Sequence, residues 1–109
     1  MTRNQEIASV ILQQLGGQGR LCAMTGAKDF VAIENGLQFG IGKNAKGVNK
    51  VRIVLNGDDL YDVEFGVCRR VKGVMGYKVL AATEGAYNDM LMDLFEQATG
   101  MYLTLVPRH

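Results

Sequence analysis

Apolar positions recur at helical spacing near the two ends of the chain and alternate in short runs between them. Ile7, Val10, Ile11 and Leu15 lie three or four residues apart, the stripe of an amphipathic helix facing a core. Thr2 and Asn4 are both candidate N-caps, and Thr2 with Gln5 fits a capping box. Gly16-Gly17 is expected to end this helix. Leu21 to Thr25 reads as a strand closed by Gly26. Phe30–Glu34 and Leu37–Ile41 flank Asn35-Gly36, a strong hairpin signal. A two-residue loop there pairs Ala32 with Phe39 and sets Phe30, Ala32, Leu37, Phe39 and Ile41 on one buried face.

Val51, Ile53 and Leu55 then alternate with Arg52 and Val54. After Gly57-Asp58-Asp59, Tyr61, Val63, Phe65 and Val67 alternate with Asp62, Glu64 and Gly66. The two apolar sets share a face only if Leu55 pairs with Tyr61, Ile53 with Val63 and Val51 with Phe65. An odd-length loop of three or five residues satisfies this, because a one-residue slip turns a whole strand over. The same register sets Arg52 opposite Glu64. Arg69 to Gly76 reads as a basic loop and Tyr77 to Ala82 as a last main strand. Thr83 is a candidate N-cap for a helix over 86–99, with Tyr87, Met90, Leu91, Leu94, Phe95 and Ala98 as its apolar stripe. Met101 to Val106 reads as an edge strand or docked tail. The predicted class is α+β: an antiparallel sheet of five or six strands, flanked in sequence by an N-terminal and a C-terminal helix packed on one face. The other face carries Val31, Ile33, Gln38, Arg52, Val54, Asp62 and Glu64, a mixture suited to solvent or a partner.

The 109 residues, 48% hydrophobic and 21% charged, are expected to form a single domain over 1–109. Composition argues against a disordered chain, and no apolar run approaches the roughly 20 residues that span a bilayer. The polar start (Thr2, Arg3, Asn4, Gln5, Glu6) is unlike a secretory signal. Cys22 and Cys68 are therefore expected as reduced thiols, without the close pairs of a zinc site. The one histidine, His109, is the last residue, a poor position for the fixed orienting partner that a catalytic histidine needs. Gly40-Ile41-Gly42-Lys43 lacks the closing Ser/Thr and following helix of a phosphate loop. Asp58, Asp59, Asp62 and Glu64 read as turn and strand-face residues, with no calcium-loop spacing. No cofactor, metal or catalytic residue is predicted.

Two features point to binding. Lys43, Lys46 and Lys50 form one basic group and Arg69, Arg70 and Lys72 another, at loop ends of one sheet. Arg52 extends the first group, and together they are candidates for a nucleic-acid contact over 43–52 and 69–72. Val31, Ile33 and Val54 on the outer sheet face, and Met92 rimmed by Asp89, Asp93 and Glu96 on the last helix, are candidates for a protein contact.

Leu15-Gly16-Gly17, Ala23-Met24-Thr25-Gly26-Ala27-Lys28, Val51-Arg52-Ile53-Val54-Leu55, Tyr61-Asp62-Val63-Glu64-Phe65-Gly66, Tyr77-Lys78-Val79 and Ala98-Thr99-Gly100-Met101-Tyr102 together resemble a family of small bacteriophage and prophage proteins without assigned activity. The resemblance implies a phage or mobile-element origin and assigns no functional residue. With the chain's size, it implies a non-catalytic accessory protein in the cytoplasm of a bacterial host. Such a protein would act on a host protein, for example as an anti-CRISPR-like inhibitor of host defence. Nucleic-acid binding is the alternative, and a homo-oligomer is a further option.

Overall fold

A computed structural model describes residues 2–101. Helix α1 (Arg3–Gln14) leads into α2 (Gln18–Thr25). Five strands follow: β1 (Lys28–Ile33), β2 (Gly36–Gly40), β3 (Lys50–Leu55), β4 (Tyr61–Val71) and β5 (Val74–Ala86). A short turn of 3₁₀ helix (Asn88–Met90) then opens α3 (Leu91–Thr99). The strands form one antiparallel meander in the order β1-β2-β3-β4-β5. The α+β class and antiparallel sheet are as the pattern predicts.

Local chemistry explains the ends of α1. The Thr2 hydroxyl accepts from Gln5 N–H, and the Gln5 side chain accepts from Thr2 N–H, closing the capping box. Ile7, Ala8, Ile11 and Leu15 are buried. Val10, predicted in the stripe, is 43% exposed and lies outside the buried face, where Ala8 takes a place instead. The Leu21–Thr25 segment is helical, correcting the predicted strand. Leu21 and Thr25, one turn apart, are buried while Ala23 is exposed, and the Thr25 hydroxyl donates to the Leu21 carbonyl at 2.6 Å. A five-residue apolar run does not by itself distinguish these two states.

The β3–β4 register is the predicted one, Leu55 with Tyr61, Ile53 with Val63, Val51 with Phe65 and Arg52 with Glu64, across a five-residue loop. Asn56 organises that loop, its side chain accepting from Asp58 and Leu60 N–H and donating to Asp62. In the first hairpin Ala32 pairs with Leu37 and Ile33 with Gly36, so Glu34-Asn35 makes the turn in place of Asn35-Gly36. The register moves by two positions in total. Pairing parity is therefore preserved, and Phe30, half-buried, still stacks on Phe39 at 5.3 Å, but Ala32, expected on the buried face, is exposed on this edge strand.

Both terminal helices cover the same sheet face. Phe95 of α3 lies against Phe39 and Phe65, with ring centroids 6.5 and 6.2 Å away. Leu37, Phe39, Val51, Ile53, Val63 and Phe65 are all buried beneath the helices. The last helix differs from expectation at its start. Thr83 belongs to β5, where it pairs with Val63, and is not an N-cap. Ladder pairing continues to Ala86, which is buried opposite Tyr61, and Gly85 N–H donates to Asp62 at 3.0 Å. Tyr87 and Met90, predicted in the apolar stripe, are exposed and precede α3. The expected element from Met101 to Val106 lies, apart from Met101, outside the described residues.

Candidate functional site

The predicted basic loop from Arg69 to Gly76 is instead the far end of a β-ribbon. Lys72 and Gly73, at φ 52° and 80°, form a two-residue turn closed by Val71 and Val74. The ladder of β3 on β4 ends at Lys50 opposite Gly66, so among the described residues β4 and β5 run on beyond the sheet as a two-stranded ladder. This arm is the main surface feature that the sequence pattern missed. Every residue from Arg69 to Ala82 is exposed. Val71 is 57%, Val74 69% and Met75 57% exposed, and Tyr77, Val79 and Leu80 are exposed beside them. The available signal was Lys-Gly between two alternating runs, a weaker turn pair than Asn-Gly.

Asn49 fixes the root of the arm. Its side chain donates to the Cys68 carbonyl at 2.8 Å and accepts from Cys68 N–H at 2.7 Å, standing in for one more strand residue. Beside it, Asn44 folds the 42–49 loop on itself. Its amide donates to the Gly42 and Val48 carbonyls, and its oxygen accepts from Lys46 and Val48 N–H. Val48 is buried, while Lys43 and Lys46 are held outward.

The two basic groups partly converge. Lys46, Val67, Arg69, Val71, Lys78 and Leu80 border a groove of about 420 Å³ on one side of the arm. Lys28, Lys43 and Arg69 border its continuation along the 42–49 loop. Among the described residues, no carboxylate lines either stretch. Lys50 lies apart, in a groove on the outer sheet face with Gln38, Arg52, Cys68 and Tyr77. Arg70 alternates with Arg69 and so points to that outer side, and Lys72 stands at the arm's tip. Both cysteines are free thiols.

On the outer face Arg52 donates to Gln38, at 2.9 Å from its nearer nitrogen, and Glu64 accepts from the Tyr77 hydroxyl at 3.0 Å. The Tyr77 ring reaches Glu64 by crossing Gly66. A Cβ at Gly66 would lie 2.6 Å from the phenol ring and 2.7 Å from the Lys78 carbonyl. Although the residue as a whole is 48% exposed, burial of the phenol against the sheet pushes its pKa up, and the hydrogen bond to and charge of Glu64 add to this, to about 12. A Tyr77→Phe difference titration at the phenolate absorbance is expected to place Tyr77 near 12, against the ordinary 10.0. Because the folded value is the higher, this contribution to stability is complete below pH 10.0 and is lost as pH rises toward 12. Glu64→Gln should lower the midpoint; a wild-type midpoint at the ordinary value would refute the contact.

The predicted protein-contact residues divide. Val31, Ile33 and Val54 come together on the outer face, with Ile33 and Val54 both paired to Gly36. Val31 is exposed, and the other two are half-buried. The helix cluster does not form an exposed patch. Met92 is half-buried and packs against the core, Asp93 is half-buried and Glu96 is buried, leaving Asp89 exposed in the 3₁₀ turn. The buried face of α3 is Leu91, Phe95, Glu96 and Thr99, so the helix docks turned toward 92, 96 and 99 from the predicted stripe through 91, 94, 95 and 98. No group of three or more His, Cys, Asp or Glu arranged to hold a metal occurs among the described residues. None of their helices is long and apolar enough to cross a membrane.

Comparison with protein-family models, curated proteins and solved structures gives no match.

Proposed function

We propose that this is a non-catalytic binding protein whose docking surface is the β4–β5 arm, and that its partner is a protein with an acidic surface. The observation that carries this is the arm's composition. Residues 65–83 hold Arg69, Arg70, Lys72 and Lys78 and no acidic residue, so the chain's formal +1 divides into +4 here and −3 elsewhere. The cations alternate with Val71, Val74, Met75, Tyr77, Val79 and Leu80. Tyr, Met and Arg around an apolar centre are what protein interfaces enrich, and an exposed apolar patch of this kind marks a contact. The resemblance to small phage proteins adds the finer expectation of a bacterial host protein in the cytoplasm, with inhibition of a host defence as one such role.

The test begins with affinity capture from a bacterial lysate and continues with the purified partner. Arg69→Glu/Arg70→Glu is expected to weaken binding at least tenfold, about 1.4 kcal/mol, with an unchanged far-UV spectrum. A partner held equally well by that variant would rule out the arm.

The carboxylate-free convergence of Lys28, Lys43, Lys46 and Arg69 favours a second reading, nucleic-acid binding. Affinity for a DNA duplex should then fall with salt at a log–log slope of about −3 for three or four neutralised phosphates. Absence of binding at low salt removes this reading.

A further inference from the structure

We infer that the outer edge of β5, which no strand among the described residues covers, pairs antiparallel with β5 of a second copy, about a two-fold axis at Tyr77. This inference does not depend on the acidic-partner reading. It begins with the direction of the backbone groups. Asn49 takes the carbonyl of Gly66 through its own N–H, and takes Cys68 N–H and carbonyl through its side chain. Those groups of Gly66 and Cys68 therefore point away from β5. In an antiparallel ladder, the residues opposite them belong to non-hydrogen-bonded pairs and also point away. Val79 is opposite Gly66 and Tyr77 opposite Cys68, and alternation adds Met75 opposite Arg70. The N–H and C=O groups of Met75, Tyr77 and Val79 thus face outward along β5, an edge strand of 13 residues with no proline. An edge of this length with apolar side chains is a template for another strand.

The side chains select a second copy as the occupant. In the Tyr77-centred register, Tyr77 meets its own counterpart and Met75 meets Val79 in both directions. About six main-chain hydrogen bonds join the copies. Gly76 lies opposite Lys78, so the one cation of this stretch never faces itself. Centring on Lys78 would set two ammonium groups together, and centring on Gly76 would run Val79 into the turn. The bulge between Val79 and Ala81 ends the regular ladder. Beyond it, the Lys72 turn of each copy lies beside Ala82–Glu84 of the other, where Glu84 supplies the opposite charge. The Met75, Tyr77 and Val79 side chains of the two copies then form one continuous apolar patch on the outer face.

The test is sedimentation equilibrium on the full chain from micromolar to millimolar concentration. The mass is expected to rise from 11.9 kDa toward twice that value. Added salt should strengthen the pair, because it screens the repulsion between cationic arms; an acidic partner would be weakened. The two ideas can therefore fail separately. Val79→Pro removes an outward N–H and leaves the β4 side of the strand intact, a placement edge strands tolerate. It should sediment as one chain with an unchanged far-UV spectrum. If it does not fold, Met75→Lys/Val79→Lys decides the matter, since it sets lysine opposite lysine. A wild type of single-chain mass throughout, a pair weakened by salt, or a pair that survives in the folded variants overturns the inference.

Discussion

Phe39→Ala is expected to destabilise the protein by about 3–5 kcal/mol, the range for truncating a fully buried phenylalanine. Phe39 has no exposed surface and sits where three elements meet. Its ring contacts Phe30 on the neighbouring strand and Phe95 on α3, and Phe95 in turn meets Phe65 edge-on at 6.2 Å. Removing it takes one ring from each of two stacked pairs and opens a cavity under the helix. The neighbouring strands, held by ladder bonds, cannot collapse into that space. Small domains are typically stable by about 5–15 kcal/mol, so the loss is a large share of the total. Urea unfolding followed by far-UV circular dichroism would show it as a lowered midpoint. A change under about 1 kcal/mol would mean that the aromatic cluster is not the centre of the core.

Gly36→Ala should also be costly, about 3 kcal/mol, at the upper end of the overpacking range. The cause here is backbone meeting backbone. A Cβ at Gly36 would collide with the Ile53 carbonyl oxygen and lie 3.0 Å from the Val54 Cα. Neither atom can rotate aside as a side-chain tip can. Relief requires separating β2 from β3, and with it the end of α1, because Asn4 accepts from Asn35 N–H at 2.9 Å. Gly66→Ala offers a useful contrast. Part of its obstruction is the Tyr77 ring, which can swing away, although the Lys78 carbonyl 2.7 Å from the added Cβ cannot. The same unfolding measurement would test both, and equal tolerance of alanine at Gly36 and at open Gly57 would contradict the close approach.

The arm gives these stability arguments a functional counterpart. Its residues make little use of the core, so substitutions at Arg69, Arg70, Met75 or Val79 should separate binding from folding. Core and arm are joined at Asn49 and at the Gly66–Tyr77 crossing. A change at either root would alter the arm's direction as well as its stability.

The sequence by itself determined the sheet's inner face. Strict alternation in 51–55 and 61–67 admits one mutual facing, and the odd loop followed from it, because side chains on a strand have a period of two. The same parity explains why the first hairpin could slip by two positions and still bury Phe39 and Leu37. Capping chemistry was equally local, since Thr2 and Gln5 satisfy each other within one turn. Leu21–Thr25 was not legible, because five residues show too few periods to separate a helix from a strand. Nor was the arm. Whether Arg69–Gly76 is a loop or the end of a ribbon depends on where β3 stops and on Asn49 holding Cys68 from 19 positions away. The burial of Met92 and Glu96 was likewise a tertiary outcome. The periodicity of 91–99 fits more than one buried face, and docking of α3 on the sheet chose the one through Leu91, Phe95, Glu96 and Thr99.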